Sequence, residues 1–290
     1  MLPERWSDQA AGLRAWVHAS LPAVLTVMGA SPGVGASLVV AGLARAPGEA
    51  QRILVLDEQS GPGSLAQILN LRLRYRWEQA LAGEIPWHQV CLTVCNEVTY
   101  LNLSFSRVKT EVGAPVALEK VLRQLAQSRD VVLVDGHTLR LSQALHGTAS
   151  SELQRQVLVV DGLLSGGAGI QRQLDILVRG GAATLGVVVN RVVSHGQAQE
   201  SYGQVEEWVR RLGGGCQDLG HLPLAQNGAH DRQWSTDRVG GLPLLSLPQA
   251  LIALKKNVQS WIMQRSGVNQ AVMLQGRLSQ VGSAYPWGQG

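Results

Sequence analysis

The sequence has few of the features that mark a membrane, secreted or nucleic-acid-binding protein. No stretch reaches the roughly 18 uninterrupted apolar residues of a membrane span, and the first residues have no apolar signal core. Three cysteines at uneven spacing do not make a disulfide framework. Lysine is rare and the arginines are scattered, so no basic tract is long enough to follow a phosphate backbone. We therefore expect a cytoplasmic protein that does not bind nucleic acid.

Apolar residues are abundant despite these absences. Hydrophobic residues make up 45% of the 290 residues and charged residues 16%, which excludes a disordered chain. The net charge of +4 suits contact with an anionic membrane or an acidic protein. Cys91 and Cys95 have no other Cys or His at ligand spacing, so we predict small buried thiols and not a metal or redox site.

Short β-branched runs alternate with helical patterns along most of the chain. Continuous apolar strands separated by helices predict an α/β fold with a doubly wound, mostly parallel sheet. This predicted domain spans 21–265, between an isolated helix in 1–20 and a weakly ordered tail in 266–290. The predicted strands are 23–28, 52–56, 89–94, 100–105, 130–134, 156–160 and 184–189, and the predicted helices are 37–45, 63–69, 115–128, 168–178 and 197–212.

The segment between the first strand and the first helix has the pattern of a phosphate-binding loop. Residues 30–37 read A-S-P-G-V-G-A-S, and Gly35 and Ser37 fit the G-x-x-x-x-G-K-[ST] pattern. Gly33 and Gly35 permit the tight turn around Val34, and the amides at the helix start favour an anion. Ala36 occupies the position of the lysine and supplies no charge.

Polar residues at the ends of other predicted strands fall on the same sheet edge. Asp57 and Asp135 follow apolar strands, where carboxylates next to such a loop position water or hold Mg²⁺, and Ser37 is a further candidate Mg²⁺ ligand. Each aspartate is also explained as a loop cap. Asn190 follows the 184–189 strand, and either it reads a base through its amide or it is an ordinary turn residue.

The N-terminal pattern predicts a short amphipathic helix. One stripe of this helix contains Gln9 and is lined by Trp6, Ala10, Leu13, Trp16 and Val17. One interpretation is that this helix docks on its own core, and the other is that it inserts into a groove of a partner. The pattern alone leaves both open.

These motifs together resemble the MinD/ParA group of deviant-Walker ATPases, within the SIMIBI class of P-loop NTPases. The loop, Asp57, Asp135, V-V-V-N at 187–190 and L-G-H-L-P at 219–223 carry the resemblance, which covers about 6–262. The stretch around 69–84 is similar, more narrowly, to the MinD-like regulators of flagellar number and placement (FlhG, also called FleN).

The N-terminal D-Q-A-x-x-L-R makes the narrower resemblance more specific; its residues are Asp8, Gln9, Ala10, Leu13 and Arg14. In that family this helix binds an SRP-type GTPase, FlhF, and its glutamine stimulates GTP hydrolysis. The resemblance therefore implies that Gln9 has this role and that Trp6, Asp8, Leu13 and Arg14 contact the partner.

The chain departs from the family pattern at the positions that handle ATP. Ser31 and Ala36 stand where the family has two lysines, and Gln59 replaces the second acid of its D-x-D motif. Gly136-His137 replaces a threonine–glycine turn. Because the phosphate-binding lysine and the water-positioning group each stabilise the transition state by several kcal/mol, we predict weak or absent ATP binding and no meaningful hydrolysis.

Three functions remain open from the sequence. The resemblance favours a flagellar regulator that acts on a partner GTPase. The second is a weak ATPase in which an arginine supplies the missing positive charge. The third is an accessory of another secretion or cellulose-synthesis apparatus. The segment 249–264 is either a terminal core helix or an amphipathic membrane contact at the inner membrane or cell pole, and 268–278 is a weaker membrane candidate.

Overall fold

A computed structural model shows how these segments are arranged. The helix predicted in 1–20, the tail predicted in 266–290 and His137 lie outside the residues that the structure describes. The structure describes residues 22–46, 51–59, 61, 63–95, 97–104, 114–136, 154–164, 167–179, 184–224 and 247–265.

The described strands form one sheet in the order β3-β4-β2-β5-β1-β6-β7-β8. They are β1 Ala23–Gly29, β2 Ile53–Asp57, β3 Leu92–Cys95, β4 Val98–Asn102, β5 Val131–Asp135, β6 Gln154–Asp161, β7 Thr184–Val192 and β8 Gly215–Pro223. All neighbouring pairs are parallel except β3 with β4, which is antiparallel. This arrangement confirms the predicted doubly wound α/β fold.

Helices cover both faces of the sheet. They are α1 Ala36–Arg45, α2 Leu65–Ile68, α3 Trp77–Leu81, α4 Ala114–Gln127, α5 Gly167–Arg179, α6 His195–Arg211 and α7 Leu247–Arg265, with a 3-10 turn at Trp87–Gln89. The helices α1, α2 and α7 share one apolar cluster with the sheet. On the opposite face α3 and α4 form a second cluster, and α5 and α6 form a third.

The structure corrects several details of the sequence prediction. The strand β8 was not predicted, because its sequence G-C-Q-D-L-G-H-L-P combines low β-propensity with a bulge at the sheet edge. The observed β3 and β4 are displaced by a few residues from the predicted strands 89–94 and 100–105. Cys95 is exposed, so the prediction of a buried thiol is wrong there. No group of three or more His, Cys, Asp or Glu in the described residues is arranged to hold a metal ion.

The last described helix packs against the core. Five apolar residues of α7 are buried against α1 and β8; they are Leu251, Leu254, Val258, Trp261 and Ile262. Lys255 is also buried, and its Nζ donates to the Ala46 carbonyl oxygen at 2.7 Å, at the C-terminal end of α1. Burial lowers the pKa of this amine. The core-helix interpretation of 249–264 is thus confirmed, whereas 268–278 lies outside the described residues. Among the described helices, none combines the length and apolarity that crossing a bilayer requires.

Candidate functional site

The candidate site lies where the parallel strands end. In the sheet register Asp57 of β2 is level with Asp135 of β5, and Asp161 of β6 is level with Asn190 of β7. The central strand β1 lies between β5 and β6 and ends at Gly29. Residues 30–35 therefore emerge between the two halves of the sheet, which is the switch point where doubly wound folds bind ligands.

The loop after β1 keeps the backbone shape that its glycines predict. Gly33 and Gly35 have φ values of 73° and 95°, in the left-handed region that favours glycine. Val34, between them, is 1% exposed and packs into the core. The helix α1 begins at Ala36, so its first amides lie at the loop. This geometry is that of an anion-binding turn at a helix N-terminus.

Asn190 holds the loop against the sheet. Its Nδ2 donates to the Val34 carbonyl oxygen at 2.8 Å, and its Oδ1 accepts from the Arg191 amide at 2.9 Å. The residue is 4% exposed, and a Cβ added to Gly35 would lie 2.4 Å from its Nδ2. The sequence left two roles open for Asn190. Reading a base would require its side-chain amide, but that amide already donates to the loop backbone here.

A cation does lie at this edge, but it is paired. Arg191 follows Asn190 with φ 60°, and its guanidinium contacts Asp161 Oδ2 at 2.6 Å. The Asp161 Oδ1 accepts from the Leu163 amide at 2.9 Å. The ion pair therefore holds the Arg191 side chain of β7 against Asp161, the last residue of β6. The sequence analysis did not identify this pair.

Asp135 is a buried carboxylate, and no cation is among the described groups that act on its pKa. It is 0% exposed, and among the described residues no donor meets hydrogen-bond geometry with either carboxylate oxygen, although the Ser37 side chain lies close enough to act on its pKa. Burial raises its pKa to about 7, the nearby Ser37 side chain lowers the pKa, and the charges of Asp57 and Glu58 raise it. None of these groups is cationic. At neutral pH this carboxyl is therefore poised between its protonated and ionised forms.

Asp57 is buried too, but it is fully hydrogen-bonded. Its Oδ1 accepts from the Gln59 amide at 2.7 Å, and its Oδ2 accepts from the Tyr100 hydroxyl at 2.7 Å and from Asn102 Nδ2 at 3.3 Å. Burial raises its pKa, and these donors lower it. Burial and the Asp57 charge also raise the pKa of Tyr100, which therefore stays a donor.

Tyr100 and Asn102 were missed by the sequence analysis. Both lie on β4, and the register places Asn102 level with Asp57. The Asn102 Nδ2 also donates to the Gln59 carbonyl oxygen at 2.7 Å, so it fixes the segment after β2. The alternation V-T-Y-L-N, with a polar residue ending a strand, was the available signal.

The structure brings the predicted residues of the loop, Asp57, Asp135 and Asn190 to one sheet edge. Ser37 is buried in the first turn of α1, and Ala36 is half-buried beside it. The Gln59 backbone caps Asp57. The predicted partner-binding residues lie outside the described residues; they are Trp6, Asp8, Gln9, Leu13 and Arg14.

Similarity to solved structures agrees with this architecture. The MinD protein of Pyrococcus horikoshii, solved in complex with Mg-ADP, is 19% identical over 84% of this chain and 99% of that chain, with a TM-score of 0.61. The MinD of the Aquifex aeolicus MinC:MinD complex is 18% identical over 82% and 95%, with a TM-score of 0.58. A ParA family ATPase from Chlorobium tepidum is 13% identical over 82% and 98%, with a TM-score of 0.59.

Comparisons with protein-family models and with curated proteins give no match. Sequence identities this low show the fold alone. The chain therefore has the fold of the MinD/ParA ATPases, built around a loop with the shape of a nucleotide-binding turn.

The contact between Asn190 and the loop predicts a measurable effect on stability. We expect Asn190→Ala to lower the free energy of unfolding by about 1 to 3 kcal/mol, because it leaves the buried Val34 carbonyl oxygen without its donor. Urea denaturation of the two proteins measures this difference. A loss smaller than about 0.5 kcal/mol, the usual range of a surface substitution, would contradict the assigned contact.

Proposed function

We propose that this chain is a MinD-like regulator of flagellar number and placement that no longer works as an ATPase. It acts through its N-terminal D-Q-A-x-x-L-R segment on an SRP-type GTPase of the FlhF kind. The observation that carries the proposal is the state of the loop: its backbone shape is kept, while Ala36 stands where a cation would neutralise phosphate.

Residues 30–37 contain no cationic side chain that would neutralise a triphosphate. Asp57 and Asp135 are both 0% exposed at the ends of adjacent strands, and within the described part of the chain the groups that act on their pKa values include no lysine or arginine. Mg²⁺ bound through the oxygens of Asp135 and Ser37 would offset part of the negative charge of a triphosphate, but the cation at this edge, Arg191, is paired with Asp161. Oxygen ligands for Mg²⁺ are therefore present, whereas residues 30–37 contain no cation that would hold the β- and γ-phosphates, so we derive no step of hydrolysis from this site.

The positions of the replaced side chains also support a loss of catalysis. Gln59 stands where the family has a carboxylate that orients water, and its backbone amide is committed to Asp57. An enzyme that lost this group and the lysine would lose several kcal/mol of transition-state stabilisation at each position. The fold then serves as a scaffold for protein contacts.

The partner proposal rests on the N-terminal motif. A glutamine delivered into a GTPase site can orient the attacking water, as glutamines of GTPases do within their own sites. Gln9 lies in a short pattern with Trp6 and Leu13, which would anchor such a helix in a groove. The MinD of Aquifex aeolicus was solved in a complex with MinC, so protein partners are known on this fold.

Mixing the full chain with a purified FlhF-type GTPase tests the proposal. We expect the GTP hydrolysis rate of the partner to rise with the concentration of this chain and to reach saturation, without added ATP. A partner whose rate is unchanged at saturating chain would contradict the proposal.

Weak nucleotide binding is the second candidate function. The loop keeps its two left-handed glycines ahead of a helix N-terminus, and the MinD of Pyrococcus horikoshii holds Mg-ADP on the same fold. Arg191, now paired with Asp161, is the nearby cation that such binding would recruit. An affinity for ATP tighter than about 100 μM, which corresponds to about −5.5 kcal/mol, would favour this candidate.

A further inference from the structure

An exposed arginine-rich segment, which the proposed function does not use, joins α2 to α3. Residues 72–76 read R-L-R-Y-R, and we call them the arginine strip. Every residue of the strip is exposed, including Leu73 at 43% and Tyr75 at 42%. Buried Trp77 follows at once, and its Nε1 donates to the Ser104 carbonyl oxygen at 3.4 Å, beyond the end of β4. The strip is thus anchored at the sheet edge that carries Asp57.

The positive charge of the strip is mostly uncompensated. Arg76 contacts Glu78 at 3.1 Å. Arg72 and Arg74 make no ion pair or side-chain hydrogen bond with any other residue that the structure describes. Arginine binds carboxylates through two parallel hydrogen bonds, so these two side chains present a pair of carboxylate-binding forks to solvent.

The backbone of the strip is also open. The Leu71 amide bonds to the Ala66 carbonyl oxygen before the strip, and the Arg76 amide bonds to Gln79 Oε1 at its end. Between them, residues 72–75 form no backbone hydrogen bond with the described part of the chain. Open amides and carbonyls next to exposed side chains allow an extended peptide to pair with the main chain.

We propose that the arginine strip binds an extended acidic segment of a partner protein. Carboxylates of that segment pair with Arg72 and Arg74, its apolar side chains cover Leu73 and Tyr75, and its backbone pairs with residues 72–75. Arginine and tyrosine are the residue types that dominate protein interfaces. An anionic membrane is less favoured, because lipid-binding clusters carry about four to eight basic residues, more than this strip has.

A synthetic peptide of alternating glutamate and valine tests the proposal by fluorescence anisotropy with the full chain. The strip variant is Arg72→Glu/Arg74→Glu. The control variant is Arg172→Glu/Lys256→Glu, which reverses two exposed charges on α5 and α7 and so changes the net charge equally. We expect the strip variant to weaken peptide binding at least about tenfold at low salt, and the control to change it less than about twofold.

Two further probes separate charge from backbone pairing. A peptide with glutamine in place of glutamate should bind at least about tenfold more weakly, and so should a peptide with alternate N-methylated amides. The proposal is overturned if the wild-type chain does not bind the acidic peptide, or if both double variants weaken binding equally. It is also overturned if phosphatidylglycerol vesicles or an oligothymidylate bind through Arg72 and Arg74 more tightly than the peptide.

Discussion

Gln9→Ala is expected to abolish most of the stimulation of the partner GTPase. If Gln9 orients the attacking water, its loss removes a group that acts mainly in the transition state, so the stimulated rate should fall by at least about tenfold toward the basal rate of the partner. The affinity between the two proteins should change much less, because the anchoring residues Trp6 and Leu13 remain. GTP hydrolysis at saturating chain, with binding measured separately, checks both expectations.

A matched control is Gln199→Ala, which removes an exposed glutamine of α6. The Gln199→Ala variant should raise the GTP hydrolysis rate of the partner as much as the wild-type chain does. Full stimulation by the Gln9→Ala variant would remove the proposed role of this residue, even if the complex still formed.

Asp135→Asn is expected to stabilise the protein at alkaline pH. The folded-state pKa of Asp135, about 7, lies above its ordinary value of 3.8. The folded protein therefore binds more protons than the unfolded chain between these pH values, and this group makes stability fall as pH rises from about 4 to about 7. The amide carries no charge, so the substitution should raise the free energy of unfolding by about 2 to 4 kcal/mol at about pH 8 and have little effect near pH 4.

The neighbouring aspartate provides the matched control. Asp57→Asn replaces a carboxylate that accepts from the Gln59 amide, Tyr100 and Asn102. The substitution should therefore lower the free energy of unfolding by about 1 to 3 kcal/mol. Urea titrations at several pH values measure both variants. Destabilisation by Asp135→Asn at about pH 8 would mean that a cation stabilises this carboxylate after all.

The fold was predictable because most of its central strands are continuous apolar runs. Runs such as residues 131–134, V-V-L-V, are apolar throughout, as is typical of parallel strands buried on both faces. The edge strand β8 lacks this signal, since its outer residues face solvent and it contains a bulge near Leu219. Propensity alone cannot identify such a strand, because pairing with β7 determines its conformation.

The sequence predicted most of the residues that form the site, but not the hydrogen bonds between them. The loop, Asp57, Asp135 and Asn190 follow strands, and strand ends meet at one edge of a parallel sheet. Two of the three donors to Asp57, Tyr100 and Asn102, lie on a different strand, so only the register reveals them. Whether Asn190 faces a ligand or the loop depends on a side-chain rotamer, which sequence patterns do not encode.

Titration of the purified full chain with ATP and Mg²⁺, together with a hydrolysis assay, tests the central claim most directly. We predict no binding tighter than about 100 μM and no release of phosphate above background, because Ala36 supplies no charge to hold the β- and γ-phosphates. Tight binding of ATP followed by steady turnover by this chain alone would contradict the account.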